Sequence, residues 1–237
     1  FVNGRAVKLR GVCRHEMHPL TGRVVDAMWQ RKDIELYRAA NCNFVRTSHY
    51  PPCEEMLDIC DELGMFVEVE SPVCWVGHHA NENWKTLNYQ DSQYYPYILQ
   101  ANMETIHFYR NHPSVIMWSI GNEMPDQTTD QGVIIARNLT AYCHDEDPTR
   151  PTSLGCNKRD AVFRDIVNQV DIFGLNYFHK TYPVFKEQNP TRRYHASETS
   201  SATSSRGEYF FPVTTDVNDS RSGFQLSSYD MTTIGWG

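Results

Sequence analysis

The feature that most constrains the fold is the regular alternation of short apolar stretches with segments of helical period. The apolar stretches are rich in β-branched residues, as buried strands are, and the segments between them space apolar residues as amphipathic helices do. Strands that alternate with helices run parallel, so the chain folds as a doubly wound sheet or as a barrel. The predicted strands cover residues 7–13, 43–51, 65–70, 114–123, 151–155, 171–178 and 193–199, and the predicted helices cover 30–41, 54–63, 91–109, 131–144, 162–168 and 183–188.

Polar side chains collect where the predicted strands end. In a (β/α)8 barrel the C-terminal ends of all strands open onto one face, where the active site is built from several strands. No glycine-rich phosphate loop follows the first strand, which weighs against a nucleotide-binding sheet. We therefore predict an α/β fold of the (β/α)8 TIM barrel type. The polar strand ends are Arg14 and His15, Arg46 and His49, Glu70, Asn122 and Glu123, Asn176 and Tyr177, and Glu198.

The domain organisation follows from the number of strands. About seven strands are predicted where a barrel needs eight, so we expect residues 1–237 to form one incomplete barrel domain whose last strand lies beyond Gly237. Residues 200–237 show no helix or strand pattern and are predicted to be an irregular loop or insertion before that strand. A disordered linker and an ordered active-site loop both remain open for this tail, because it is rich in Ser, Thr and Gly but also in aromatic residues.

Charge and cysteine content exclude several classes of partner. The formal net charge is −7 and the acidic residues are scattered, which argues against nucleic acid or an anionic membrane surface as a partner. No stretch approaches the roughly 20 apolar residues of a membrane span. The seven cysteines are an odd number without a closely spaced pair, so we expect neither a disulfide framework nor a zinc site. The cellular compartment is left open.

Two glutamates on different strands, Glu123 and Glu198, suit the cleavage of a glycosidic bond. One carboxyl group must be protonated to donate to the leaving oxygen, while the other must be ionised to attack or stabilise the sugar. We expect Arg46 to keep Glu198 ionised, and partial burial opposite that negative charge to raise the pKa of Glu123. A separation of about 5–5.5 Å between the carboxyl groups predicts retention of configuration, and about 6.5–9.5 Å predicts inversion.

The histidines allow a competing interpretation. A barrel mouth with imidazole and carboxylate ligands would suit metal-assisted hydrolysis, although two histidines three residues apart on a loop are a weak signal. In a sugar site, imidazoles instead bind hydroxyl groups and an aromatic face such as Trp75, Trp84 or Trp236 stacks on the sugar ring. Trp118 lies within an apolar run, so we expect it to pack in the core. The candidate metal ligands are His15, Glu16, His18, His49, Glu70, His78 and His79.

Three segments resemble one enzyme family. Residues 10–19 are similar to the first barrel strand of glycoside hydrolase family 2, the β-galactosidase and β-glucuronidase group, and residues 45–51 are similar to its second strand. The segment 112–123, which ends in Gly121-Asn122-Glu123, is the most specific match. The resemblance covers nearly all of residues 1–200 in order.

The resemblance implies a retaining double displacement on a TIM barrel, with Glu123 as acid/base and Glu198 as nucleophile. It further implies that Asn122 binds the sugar 2-hydroxyl, whose interaction strengthens in the transition state. The remaining implied binding residues are Arg46 and Tyr177, which would hold the nucleophile, and His15 and His49, which would line the sugar subsite.

Among members, the histidines of the first two strands and residues 197–209 are most similar to β-galactosidases, so we expect terminal non-reducing β-D-galactosides as substrates. A β-glucuronidase, a β-mannosidase and a non-catalytic carbohydrate-binding barrel remain alternatives. Some β-galactosidases bind magnesium through a glutamate and a histidine after the third strand. Glu70 matches the glutamate, but residues 71–75 depart from the histidine-bearing continuation, so we expect no cofactor. The resemblance also implies β-sandwich domains on the same longer chain, and a homo-oligomer is possible.

Overall fold

Seven parallel strands alternate with helices in chain order. The computed structural model describes residues 1–73, 95–124, 126–177 and 179–199. The described elements are β1 (Gly11–Cys13), α1 (Ala27–Ala39), β2 (Phe44–Arg46), α2 (Glu54–Leu63), β3 (Phe66–Glu70), α3 (Tyr95–Tyr109), β4 (Val115–Asn122), α4 (Asp130–Glu146), β5 (Thr152–Cys156), two short 3-10 helices (Arg159–Phe163 and Asp165–Asn168), β6 (Ile172–Asn176), α5 (Thr181–Gln188) and β7 (Arg193–Glu198).

The strands form one sheet in the order β1 to β7, and every neighbouring pair is parallel. A doubly wound sheet would reverse its strand order at a switch point, whereas a barrel keeps sequential order. The two edge strands also approach each other, because the Cys13 thiol of β1 donates to the Ser197 carbonyl of β7 at 2.9 Å. The predicted TIM barrel is therefore confirmed for seven strands, and the eighth strand is not among the described residues.

The apolar core lies between the sheet and the surrounding helices. Val67 and Val69 of β3 are fully buried, as are Leu57 and Cys60 of α2. Burying each large aliphatic side chain contributes about 1.5–3 kcal/mol to folding. Trp118 is 2% exposed, which confirms the prediction that it packs in the core.

The inner face of the sheet is polar at its C-terminal half. Arg46, Glu68 and Glu70 alternate with outward-facing valines and are at most 1% exposed. A Cβ atom on Gly155 would lie 2.3 Å from the side-chain oxygen of Asn122, so only glycine leaves room for this crowded interior. The barrel therefore buries charged groups beneath its mouth.

Several predicted elements differ from the structure in length or type. The first strand begins at Gly11, later than predicted. The second ends earlier than predicted, at Arg46, because the polar residues after it leave the sheet to form the mouth of the barrel. The predicted helix 162–168 is instead a pair of 3-10 helices, since Arg164 between them adopts an extended backbone (φ −110°, ψ 157°). The six described cysteines are free thiols, and Cys74 lies outside the described residues.

None of the described helices is both long enough and apolar enough to cross a membrane.

Candidate active site

The C-terminal ends of four strands bring five polar side chains together. Arg46 ends β2, Asn122 ends β4 and is followed by Glu123, Asn176 ends β6, and Glu198 ends β7. These residues are far apart in sequence, and only the sequential parallel sheet makes them neighbours. The two predicted catalytic glutamates are therefore in one cluster.

The amide of Asn176 bridges the two glutamates. Its nitrogen Nδ2 donates to Oε1 of Glu123 and to Oε1 of Glu198, each at 2.9 Å, so these two oxygens are separated by no more than twice 2.9 Å, about 5.8 Å. The Ser197 hydroxyl donates to Oδ1 of the same amide at 2.6 Å, which fixes its orientation. A flipped amide would point its oxygen at acceptor oxygens, which is unfavourable.

Glu123 has the environment expected of a general acid. Burial is the main cause that raises its pKa, the hydrogen bond from Asn176 opposes this, and the negative charge of Glu198 raises the pKa further. Its backbone is in the left-handed region (φ 48°), and its N–H donates to the Gly155 carbonyl at 2.9 Å. Such a conformation is uncommon for a residue with a long side chain and is a feature of functional sites.

Glu198 is held through one of its two oxygens. Oε1 accepts from Arg46 Nη1 at 3.0 Å and from Asn176, and His49 Nε2 lies 3.5 Å away. Among the described residues, every hydrogen bond to this carboxylate goes to Oε1. Its other oxygen, Oε2, therefore has no hydrogen bond from the described residues.

Arg46 contacts both the polar residues at the mouth of the barrel and the buried carboxylates beneath them. Nη2 donates to Asn122 Oδ1 at 2.7 Å and Nη1 holds Glu198, while Nε is paired with Glu70. Burial opposes the positive charge, but Glu70, Cys13, Glu68 and Glu198 together raise the pKa of Arg46 well above its ordinary value. This guanidinium is the positive centre of the site.

Asn122 and His49 lie beside Glu198 at the base of the cluster. Asn122 is completely buried, and its oxygen accepts from both Arg46 and Asn176, at 2.7 and 2.9 Å. His49 places Nδ1 3.0 Å from Glu70 Oε2, which leaves its Nε2 facing Asn122 and Glu198. The side-chain nitrogen of Asn122 therefore faces the site with a hydrogen to donate.

His15 lies at the edge of the same cluster. Its ring meets that of His49 edge to face, with centroids 5.3 Å apart. His15 is partly exposed, yet desolvation of the part beside the site, together with the nearby His49, lowers its pKa. A neutral imidazole of this kind both donates and accepts hydrogen bonds.

Tyr177 contacts Glu198 through its backbone. Its N–H donates to the carbonyl of Glu198 at 2.6 Å, and its φ of 58° lies in the left-handed region, as that of Glu123 does. The remaining predicted binding residue, Trp236, lies outside the described residues, as do Trp75, Trp84, His78 and His79.

The described candidates for a metal site are already engaged elsewhere. The Glu16 carboxylate accepts from the backbone N–H of Cys53, and His18 Nδ1 accepts from those of Leu20 and Thr21. Glu70 contacts Arg46 and His49 through its two oxygens, so neither oxygen is directed at Glu123. The described residues therefore do not fit the magnesium of some β-galactosidases, and the expectation that no cofactor is needed stays a prediction.

One group in the described part of the chain has metal-ligand spacing, and it lies at the other end of β4. It consists of Asp58, Asp61 and His112, and Asp61 there caps the backbone N–H of Ser114.

Sequence reasoning identified most of the cluster but not its centre. Asn176 was recognised only as a polar strand end, although it contacts both glutamates. Glu68, which is buried below Arg46, was not singled out either. The available signal was the alternation of Glu68 and Glu70 with valines, which places both carboxylates on one face of β3.

Several known proteins have sequences similar to this chain. Residues 1–207 match the family profile described as glycosyl hydrolases family 2, TIM barrel domain. Beta-galactosidase BoGH2A of Bacteroides ovatus is 28% identical over 286 aligned positions, which cover 100% of this chain and 32% of the relative. A putative beta-glucuronidase of Formosa agariphila is 39% identical over 163 positions, which cover 65% of this chain and 18% of the relative.

Solved structures give the same result. A glycosyl hydrolase family 2 member from Bacteroides cellulosilyticus superposes with a TM-score of 0.72 at 36% identity, covering 85% of this chain and 25% of that chain. Beta-glucuronidase 2 of Bacteroides uniformis, covalently bound to cyclophellitol-6-carboxylate aziridine, superposes with a TM-score of 0.72 at 26% identity, covering 86% and 26%. The chain thus spans about a third or less of the length of these relatives.

Proposed function

The chain belongs to glycoside hydrolase family 2, and on that premise we propose that it forms the catalytic barrel of a retaining glycosidase acting on terminal non-reducing β-D-galactosides. The observation that carries the proposal is the amide of Asn176, which bonds both glutamates and limits their bonded oxygens to a separation of about 5.8 Å. This value supports the close spacing of a double displacement rather than the wider gap that an inverting enzyme needs for a water molecule.

In the first half of the reaction, Glu198 Oε2 attacks the anomeric carbon and the bond from that carbon to the leaving oxygen breaks. Glu123 transfers its proton to the leaving oxygen, so the aglycone departs as a neutral alcohol. The raised pKa of Glu123, caused first by burial, keeps that proton on the carboxyl group to higher pH than in a free glutamate. The product is a glycosyl ester on Glu198.

In the second half, the two carboxyl groups exchange their charges. Glu123 is now ionised and removes a proton from water, whose oxygen attacks the anomeric carbon. The bond to Glu198 breaks, and this carboxylate returns to the donors on Arg46 and Asn176 that held it before. Two inversions at the same carbon give overall retention.

The surrounding residues bind the sugar. We assign the 2-hydroxyl to the amide nitrogen of Asn122, because its oxygen is occupied by Arg46 and Asn176. His49 and His15 line the adjoining subsite, and Tyr177 fixes the backbone of the nucleophile. Trp236 is proposed as the stacking surface for the sugar ring. These roles, like the sugar itself, are part of the proposal.

The relatives support a galactoside but keep one alternative open. The relative that aligns with the whole chain carries the name beta-galactosidase, whereas the relative from Formosa agariphila carries the name putative beta-glucuronidase. A β-glucuronidase is therefore the second candidate function. It would use the same two glutamates, because the sugars differ at positions remote from the reacting carbon.

The test uses the intact protein that contains this chain. Initial rates are measured on aryl β-galactoside, β-glucuronide and β-mannoside, and the anomer formed first is identified by proton NMR. We expect the highest kcat/KM on the galactoside and the β-anomer as the first product. Turnover of only the other two substrates would overturn the sugar assignment, and the α-anomer would overturn the double displacement.

A further inference from the structure

A second carboxylate layer lies beneath the proposed catalytic pair. Glu68 projects from β3 into the barrel and is 1% exposed. Its Oε2 lies 4.0 Å from Nε of Arg46 and has no hydrogen-bond partner among the described residues, while its Oε1 accepts from the Ser153 hydroxyl. A buried carboxylate oxygen without a donor is costly, so this position needs an explanation.

Three carboxylates lie around Arg46, and its single positive charge cannot neutralise all of them. Its Nε lies close to a carboxylate oxygen of Glu70 and 4.0 Å from one of Glu68, and its Nη1 donates to Glu198. One guanidinium therefore faces three carboxylates in a site with little access to water, where each charge acts strongly on the others.

The other titratable groups around Glu68 do not restore the balance. His195 on β7 is the nearest, with Nε2 3.9 Å from Glu68 Oε1, and burial lowers its pKa and so disfavours its charged form. Ser153 on β5 and Met117 on β4 face or pair with Glu68 without carrying charge. Within the described ranges, the titratable groups around Glu68, Arg46 and their direct partners include Glu70 on β3, Cys13 on β1, His49 after β2, and His195 and Glu198 on β7. Arg46 also acts electrostatically on His15 and Glu123.

We propose that Glu68 is a positioning residue that competes with Glu198 for the charge of Arg46. The proposal rests on the function proposed above, because it assigns Glu68 an effect on the ionisation of the nucleophile. Glu68 touches no reacting atom. It acts through the guanidinium, holding its Nε edge low in the barrel while Nη1 remains directed at Glu198.

The proposal predicts a change in pH dependence when Glu68 loses its charge. In Glu68→Gln, the side chain keeps its shape and Arg46 has one carboxylate fewer to neutralise, so more of its charge acts on Glu198. The ionised nucleophile then persists to lower pH, and the acid limb of the kcat/KM profile should move down by about half a pH unit or more.

The experiment compares pH profiles of kcat/KM for aryl galactoside hydrolysis by the intact protein. Glu187→Gln is the matched control, since it removes the same charge from an exposed position on α5 and should leave the acid limb in place. A structural role alone would lower activity or stability at all pH values without moving the limb. An unmoved acid limb in folded Glu68→Gln overturns the proposal.

A second variant covers the case in which Glu68→Gln does not fold. Glu68→Asp keeps the charge but withdraws it from Arg46 by one methylene, so the acid limb should move in the same direction by a smaller amount. No movement overturns the proposal.

The stereochemistry of the parent protein's reaction separates failure of the proposed function from failure of the role proposed for Glu68. If the parent does not retain configuration, the proposed function fails and this inference falls with it. If the parent retains configuration but the acid limb of the kcat/KM profile does not move in the Glu68 variants, only the role proposed for Glu68 fails.

Discussion

Charged side chains are paired differently at the two ends of β4. At the N-terminal end, Asp147 accepts from Arg150 at 2.6 Å and from the indole of Trp118 at 3.0 Å, and His112 pairs with Asp61 at 2.7 Å. Each charged group there has a partner of opposite charge or a hydrogen-bond donor. At the C-terminal end, by contrast, several carboxylates pair with one arginine, Arg46.

The electrostatic consequences differ accordingly. Burial alone would raise the pKa of Asp147, but hydrogen bonds from Thr149, Arg150 and Trp118 lower it to about 2. At the other end of the strand, burial raises the pKa of Glu123, and the single hydrogen bond from Asn176 does not reverse this. Matched charges stabilise the fold, whereas unmatched carboxylates keep a proton available for chemistry.

The backbone shows the same contrast. Glu123 and Tyr177, which follow β4 and β6 at the mouth, both adopt positive φ values, 48° and 58°. Neither is glycine or asparagine, so each conformation carries a cost that the surrounding hydrogen bonds must offset. Within the described residues, the mouth of the barrel therefore combines these two conformations with the carboxylates that share Arg46.

The strongest test of this contrast removes the nucleophile. In Glu198→Gln, the glycosyl ester cannot form, so kcat on aryl galactosides should fall by about 10⁴-fold or more, while the unfolding midpoint stays close to that of the parent. Steady-state rates and thermal unfolding of the intact protein provide the measurement. Loss of less than about tenfold would contradict the role assigned to Glu198, and Glu187→Gln again serves as the control.

Replacing the acid should give a loss that depends on the leaving group. In Glu123→Gln, substrates with poor leaving groups should lose about 10²- to 10⁴-fold, because they need the proton, while dinitrophenyl glycosides should retain glycosylation. Since the pKa of Glu123 is raised, the parent keeps its proton to higher pH than a free glutamate would, and this basic limb should vanish in the variant. Equal loss on all substrates would argue against the assignment.

A smaller effect is expected when the bridge between the carboxyl groups is removed. In Asn176→Ala, both glutamates lose a shared donor, and kcat/KM should fall by about 10- to 100-fold. The hydrogen bond from Asn176 lowers the pKa of Glu123, so its loss should raise that pKa and move the basic limb to higher pH. Asn168→Ala, at an exposed position, is the control; a limb that does not move would disprove the bridging role.

The smallest effect on activity should come from the opposite end of β4. Asp147→Asn should leave kcat/KM within about twofold but lower the free energy of unfolding by about 2 kcal/mol at pH 7. Because the pKa of Asp147 is depressed in the folded state to about 2, this contribution is present above its unfolded value and is lost as pH falls from about 4 towards 2. Urea unfolding of the parent and the variant at pH 7 and pH 3 measures this difference in the free energy of unfolding. An equal difference at both pH values would show that the ionisation of Asp147 does not contribute to stability.

Much of this organisation follows directly from the sequence. The helix predicted over residues 54–63 is observed over Glu54–Leu63, and the strand predicted over 114–123 is observed over Val115–Asn122. These predictions succeed because apolar periodicity and the glycine at position 64, which adopts φ 69°, act over short distances. The order of elements then places Glu123 and Glu198 at the same end of the barrel.

Other features could not be obtained in this way. Alternation on β3 shows that Glu68 and Glu70 share one face, but not whether that face meets solvent or a closed interior. The position of Asn176 between the two glutamates depends on how β4, β6 and β7 curve together, which no local pattern encodes.

By itself the sequence determined the order of the strands and of most helices, and the polar residues at each strand end, because propensity and periodicity are properties of neighbouring residues. Only the tertiary structure decided the separation of the carboxyl groups, the position of Asn176 between them and the sharing of Arg46 by Glu68, Glu70 and Glu198. These depend on distances between residues remote in sequence and on the exclusion of water, both of which arise when the strands pack around a common interior.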